Sequence, residues 1–162
     1  MMAVPHLLVG AAVGKAARRA WIVCPVAFAS HFVLDKLPHI DADAVAALIV
    51  GHEVRPELPA LVDAAAGVAL LVWAMRGQPG RRLMVAGAIC GLLPDLLGFV
   101  PPISTVSHWL PFAAGYDRFH KLCQGDVASR LWPLGVGMQV VVTAVAVAYV
   151  TRRAARVPSG PG

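Results

Sequence analysis

Five apolar segments, parted by short clusters of lysine and arginine, leave this chain few folds to choose from. They cover residues 3–14, 20–37, 58–75, 83–100 and 131–151. The last is a clean span of about 20 residues, the length a helix needs to cross a bilayer. The first is short, either a half-helix or a helix helped by Lys15 and Arg18 snorkelling to the interface. Of the 162 residues, 58% are hydrophobic and 14% are charged, whereas a soluble domain carries about a quarter charged residues. The pattern predicts an all-α fold: a polytopic transmembrane helical bundle of about five segments. It forms one membrane-embedded domain over residues 1–156, and the Pro- and Gly-rich tail over 157–162 is expected to be disordered.

The basic clusters set the orientation. Lys15, Arg18 and Arg19 separate segments one and two; Arg76, Arg81 and Arg82 separate three and four; Arg152, Arg153 and Arg156 follow five. With five crossings all three clusters fall on one side, which the positive-inside rule makes cytoplasmic. The N-terminus is then outside and the C-terminus inside, as expected for a protein of a bacterial cytoplasmic membrane. No positive charge precedes the first segment, which argues against a secretory signal. The middle cluster lies in a Gly- and Pro-containing connection, Arg76-Gly77-Gln78-Pro79-Gly80-Arg81, read as a tight turn.

Sides assigned from Lys and Arg alone also sort the histidines and acids. All six histidines and all nine acids lie at or beyond the outer ends of the segments. The first outer loop takes His39, Asp41, Asp43, His52 and Glu53, and the second takes His108, Asp117, His120 and Asp126. Ionisable groups at the edge of apolar helices are rare unless they have a task.

The densest element is Ser30-His31-Phe32-Val33-Leu34-Asp35-Lys36-Leu37-Pro38-His39-Ile40-Asp41. In a helix, His31 and Asp35 are i,i+4 neighbours on one face, and an imidazole with a carboxylate at that spacing reads as half of a metal site rather than an interfacial cap. Pro38 ends the helix. His39 and Asp41 then fall in a turn that suits either a ligand pair or a solvated loop. Asp95, after Pro94 in an otherwise apolar segment, costs several kcal/mol if left charged and unpaired, so a ligand role is favoured over a protonated side chain. His6 fits either a structural or a ligand role. Asp63, near the outer end of segment three, follows the logic of Asp95 but lies closer to water. In Tyr116-Asp117-Arg118-Phe119-His120-Lys121, a His and two cations suit an anionic group held beside a metal, or an amphipathic interface helix.

Several classes are disfavoured. The chain has no GxGxxG, P-loop, GxSxG or HExxH motif. Its basic residues form short juxtamembrane clusters, which disfavours nucleic acid as a partner. Cys24, Cys90 and Cys123 show no CxxC spacing and are expected to be buried thiols without a disulfide framework.

Pro5-His6-Leu7-Leu8-Val9-Gly10, the element from Ser30 to Asp41, Gly91-Leu92-Leu93-Pro94-Asp95-Leu96-Leu97 and Arg118-Phe119-His120 together resemble small bacterial membrane-bound, metal-dependent hydrolases of the YdjM type. The resemblance spans most of residues 5–120, and H-x-x-x-D-x-x-P-H-x-D is its most specific part. Better-known members place a Leu-Pro-Asp-x-Asp motif early and follow it with His-Arg-Gly-x-Thr-His; here the Pro-Asp comes late, and Leu96-Leu97 follow it.

The expectation is a metal-dependent hydrolase at the extracytoplasmic membrane surface. Its metal ligands are drawn from His6, His31, Asp35, His39, Asp95 and His120. Zn²⁺ is the first choice for imidazole plus carboxylate, with Mn²⁺ or Fe as alternatives. Asp41 or Asp63 would act as general base. Arg118 and Lys121 would hold an anionic headgroup, since a lipid-linked ester or phosphoester fits a site at the membrane surface. The alternative is a non-catalytic membrane subunit with a structural His/Asp site. Transport is disfavoured because the inner halves of the segments carry no carboxylates.

Overall fold

The computed structural model describes residues 1–17, 19–50, 57–99, 104–105, 109, 111–125 and 131–152. Among these residues the chain forms seven helices: α1 (Ala3–Ala16), α2 (Ala20–Asp35), α3 (Ala42–Val50), α4 (Glu57–Ala74), α5 (Arg81–Phe99), α6 (Ala113–Cys123) and α7 (Trp132–Thr151). The fold class is all-α. Arg18, His52, Glu53, His108, Asp126, Arg153, Arg156 and the tail 157–162 lie outside the described residues.

α3 lies where a loop was expected, and α6 takes the amphipathic-helix alternative weighed for Tyr116–Lys121. α3 starts where the Asp41 carboxylate accepts the Ala44 backbone N–H at 2.9 Å, an N-cap bond. The run behind it, Ala42-Asp43-Ala44-Val45-Ala46-Ala47, is rich in the best helix former. α6 packs one face on the bundle and exposes the others.

α1 lies at the centre, and its closest partner is α5. The two run antiparallel and meet through paired small residues. A Cβ on Gly10 would overlap the Gly87 carbonyl, one on Gly87 the Gly10 carbonyl, and one on Gly14 the Leu83 carbonyl; one on Gly91 would sit 2.8 Å from the His6 carbonyl oxygen. Gly10-x-x-x-Gly14 and Gly87-x-x-x-Gly91 are thus two facing small-xxx-small motifs, which bring helix backbones close enough for dispersion to hold them without a hydrophobic driving force.

Contacts along α1 fix the direction of the other helices. Val4 N–H bonds to Asp63 at 3.2 Å near the start of α4, and Lys15 reaches Gln78 just past its end. Met2 N–H bonds to Gln139 in α7, and Lys15 bonds to the Tyr149 carbonyl. So α1, α4 and α7 run one way, and α5 runs the other. α2 is parallel to α5, since Cys24 meets Cys90 and His31 meets Gly91. The five longest-range apolar segments of the sequence become α1, α2, α4, α5 and α7, alternating in direction. The connection between α4 and α5 turns at Gly77 and Gly80, both at φ 72°.

α4 and α7 are long and apolar enough to cross a membrane, and only 17% and 22% of their apolar windows are buried in the fold. Leu61, Val62, Val72 and Trp73 on α4, and Val140, Val141 and Val145 on α7, point outward. A core helix of a soluble protein would bury such residues. α1 and α2, at 14 and 16 residues, fall short of that length, and α5 begins with two arginines and carries Asp95.

Among the described residues, Lys15, Arg76, Arg81, Arg82 and Arg152 lie at one end of the bundle, and His6, His31, Asp35, Asp95 and His120 lie at the other. At the basic end the Lys15 ammonium donates to the carbonyls of Tyr149 (2.9 Å), Val150 (2.7 Å) and Arg152, closing the C-terminus of α7, where a helix dipole favours a cation. Gln78 donates to the Thr151 carbonyl at 2.7 Å.

The expectation that the cysteines are unpaired needs correction. Cys24 of α2 and Cys90 of α5 form a disulfide, with Cα atoms 5.2 Å apart and 66 residues between them in sequence. Local CxxC spacing cannot reveal a pair that exists only because two helices pack side by side. Cys123 is a free, buried thiol.

Candidate metal centre

The end of the bundle opposite Lys15 gathers side chains from four helices. His6 comes from the first turn of α1, His31 and Asp35 from the last turns of α2, Asp95 from α5 and His120 from α6. His6, His31, Asp35 and His120 are buried, while Asp95 is 23% exposed and opens the cluster to the outside.

α2 supplies two ligand atoms because i,i+4 spacing stacks His31 over Asp35, with Nε2 3.1 Å from Oδ2. α5 supplies Asp95 and a backbone acceptor. Pro94 lies inside α5 and has no N–H, so the Cys90 carbonyl lacks its usual helical donor. One residue on, the Gly91 carbonyl accepts a hydrogen bond from His31 Nδ1 at 2.9 Å. A carbonyl can only accept, so Nδ1 carries the proton. Nε2 is then the nitrogen presented to the cluster.

Around that nitrogen lie His120 Nε2 at 3.1 Å, Asp35 Oδ2 at 3.1 Å and Asp95 Oδ1 at 3.5 Å. His120 Nε2 is 3.3 Å from Asp35 Oδ2 and 3.7 Å from Asp95 Oδ1. These atoms fall into two groups that share His31, each with its ligand atoms within 4.8 Å of one another: His31, Asp35 and His120, all buried, and His6, His31 and Asp95. Imidazole nitrogens and carboxylate oxygens gathered this closely can be held together by protons on the rings or by a metal ion among them. Bonds of about 2.0–2.1 Å to a tetrahedral ion would place ligand atoms about 3.3–3.4 Å apart, which is the middle of the observed range. His31, Asp35 and His120, with ligand atoms 3.1–3.3 Å apart, therefore fit a divalent ion.

His6 approaches from the other side of Asp35. Its Nε2 is 3.2 Å from Oδ1, and its ring stacks on His31 with centroids 4.0 Å apart. The Met1 amino nitrogen lies 3.0 Å from the same oxygen. His6, His31 and Asp95 also offer atoms within 4.8 Å of one another, so His6 is either a further ligand or the group that orients Asp35.

α6 is held against the cluster by several bonds. The Tyr116 hydroxyl donates to the Pro94 carbonyl at 2.9 Å, next to Asp95. Burial, and then the carboxylates of Asp95, Asp117 and Asp35, push the Tyr116 phenol above its ordinary pKa, so it stays a neutral donor. Gly125 N–H donates to the Asp35 carbonyl at 2.6 Å, and the Lys36 ammonium donates to the Leu122 carbonyl. Phe32 packs edge-on to Phe119 and His120.

The other sequence candidates are placed elsewhere. His39 is buried just past α2, its Nδ1 2.9 Å from the Leu37 carbonyl, and belongs to neither ligand group. Asp41 caps α3, and Asp63 accepts the Val4 N–H at the start of α1. Arg118 and Lys121 are exposed on α6. Residue-by-residue reading missed Gly91, Tyr116 and the Gly10–Gly87 contact. Only the last had a visible signal, the two G-x-x-x-G spacings.

Comparison with known proteins returns no family model, no curated protein and no solved structure that matches this chain.

Proposed function

We propose that the chain is a five-span helical membrane protein and a metal-dependent hydrolase, resembling the YdjM type, whose centre is formed by His31, Asp35 and His120 with Asp95 and His6 beside them. The single observation that carries this reading is the buried group of His31 Nε2, Asp35 Oδ2 and His120 Nε2, 3.1–3.3 Å apart, with the other nitrogen of the His31 ring tied to Gly91. The three Lys/Arg clusters support an extracytoplasmic position for it. Zn²⁺ is the ion best suited to this mixed imidazole and carboxylate set, with Mn²⁺ or Fe next. Such an ion lowers the pKa of a water molecule toward neutrality and polarises the ester under attack. Asp95, half-open to the outside, marks the approach for substrate. Arg118 and Lys121 on the adjoining helix suit the anionic headgroup of a lipid-linked ester or phosphoester. With Asp41 and Asp63 engaged as helix caps, Asp95 is the better-placed base.

Burial of four of the five side chains favours a second reading, a closed structural site in a non-catalytic subunit, since structural metal sites are closed and catalytic ones keep a position open. Elemental analysis of the purified, detergent-solubilised protein and of Asp35→Asn separates the two. A hydrolase loses metal and hydrolysis of phosphoester or carboxyester lipids while keeping much of its melting temperature. A structural site loses metal and melting temperature together, because binding energy then contributes to folding. Full metal occupancy in the Asn variant would refute both readings.

A further inference from the structure

We propose that α6 is an interfacial helix that seats the site-bearing end of the bundle on anionic phospholipid headgroups. The inference rests on the reading that this end meets the membrane surface, and it adds a partner that the metal cluster does not require. α6 is rigidly placed, fastened to α2 by Gly125 and Lys36 and to α5 by Tyr116. Its outward faces are therefore fixed by the fold.

At about 100° per residue, α6 divides into three sectors. Ala113, His120 and Cys123 are buried, with Tyr116 half-buried beside them. Phe119 and Leu122 form a second apolar sector, 51% and 68% exposed, and Phe112, the residue that precedes the helix, is 64% exposed. Arg118 and Lys121 form an exposed basic sector next to it. An amphipathic helix of a soluble domain turns one apolar face to the core and polar faces to water. α6 instead turns an apolar face outward beside two cations. That combination matches the boundary of a bilayer, with apolar side chains among acyl chains and cations level with phosphates. A zwitterionic surface satisfies only the apolar sector, and an anionic one satisfies both.

Gly115 offers a probe position, since it lies in the apolar sector and nothing stands within 4 Å of an added Cβ. The full chain carrying Gly115→Cys, labelled with a fluorophore, is reconstituted in phosphatidylcholine nanodiscs containing a minor fraction of brominated phosphatidylglycerol or brominated phosphatidylcholine. Cys24 and Cys90 are paired and Cys123 is buried, so the label goes to position 115. The expected result is stronger quenching by the phosphatidylglycerol, with a preference that falls about five-fold for each charge removed in Arg118→Gln and Lys121→Gln. Added salt should erode the same preference in the unsubstituted helix, which keeps the test independent of how the variants fold. Equal quenching by both lipids overturns the anionic partner, and quenching by neither overturns the interfacial placement. Metal content, measured in parallel, reports on the cluster alone, so failure of the metal reading leaves the quenching result interpretable.

Discussion

His31 Nδ1 lies 2.9 Å from the carbonyl oxygen of Gly91, and that bond decides which nitrogen of the ring faces the carboxylates. The acceptor is a backbone group, so it cannot be lost to a side-chain rotation. Partners of this kind fix the tautomer of metal-bound histidines and raise their basicity as ligands. Here one helix supplies the orienting group, Gly91, and a carboxylate of the cluster, Asp95, one turn apart.

His31 touches every other member of the cluster, and His6 touches Asp35 through its second oxygen. Their loss should therefore differ in degree. His31→Ala is expected to abolish metal binding, and His6→Ala to weaken it by about 10–100-fold, the usual effect of losing an orienting partner. Metal titration of the two variants checks this ranking. Equal abolition would make His6 a ligand of the same rank as His31.

Chelation should lower the melting temperature of the unsubstituted protein reversibly. At a free metal concentration of about 100 times Kd, binding stabilises by about 2.7 kcal/mol. Differential scanning before and after metal is restored measures it; an unchanged melting point would mean that the ion contributes nothing to the fold.

The α1–α5 contact is predicted to tolerate no added methyl. Gly10→Ala or Gly87→Ala forces a Cβ into a backbone carbonyl, which must move, at a cost of about 1–3 kcal/mol. Gly137→Ala, with open space around it, should be neutral or slightly stabilising in the middle of α7. Thermal unfolding of the three variants in one detergent tests the contrast.

Lys15→Met removes the ammonium that closes the end of α7. It leaves the carbonyls of Tyr149 and Val150 without that donor, and a cost of about 1–3 kcal/mol is expected for charge-assisted bonds. Metal content should not change, because the cluster occupies the opposite end of α1. Joint loss of metal and stability would mean that the two ends of the bundle are coupled.

Topology can be read by labelling. Gln78 is buried against Lys15 and Thr151 and makes a poor probe, whereas Arg76 in the same connection is exposed, as is Asp43 at the start of α3. Cysteines introduced at positions 43 and 76 should react from opposite faces of intact cells. Reaction of both from outside would remove the five-span arrangement.

The order of amino acids alone determined the helical class, the five apolar segments, the segregation of basic residues from histidines and acids, and the pairing of His31 with Asp35. Each is a matter of composition or of spacing within one helix, where 3.6 residues per turn fixes the neighbours. It did not determine that Asp41 and Asp63 are used as caps, nor that His39 turns to the Leu37 carbonyl. Those choices depend on which backbone N–H or carbonyl lies nearest once the chain is folded. Tertiary structure also decided the Cys24–Cys90 bond, the Gly91 acceptor and the meeting of His6, His31, Asp35, Asp95 and His120. These residues are up to 114 positions apart in sequence; glycines at 10, 14, 87 and 91 let α1 and α5 approach closely, and the packing of α2 and α6 against them brings the rest of the cluster in.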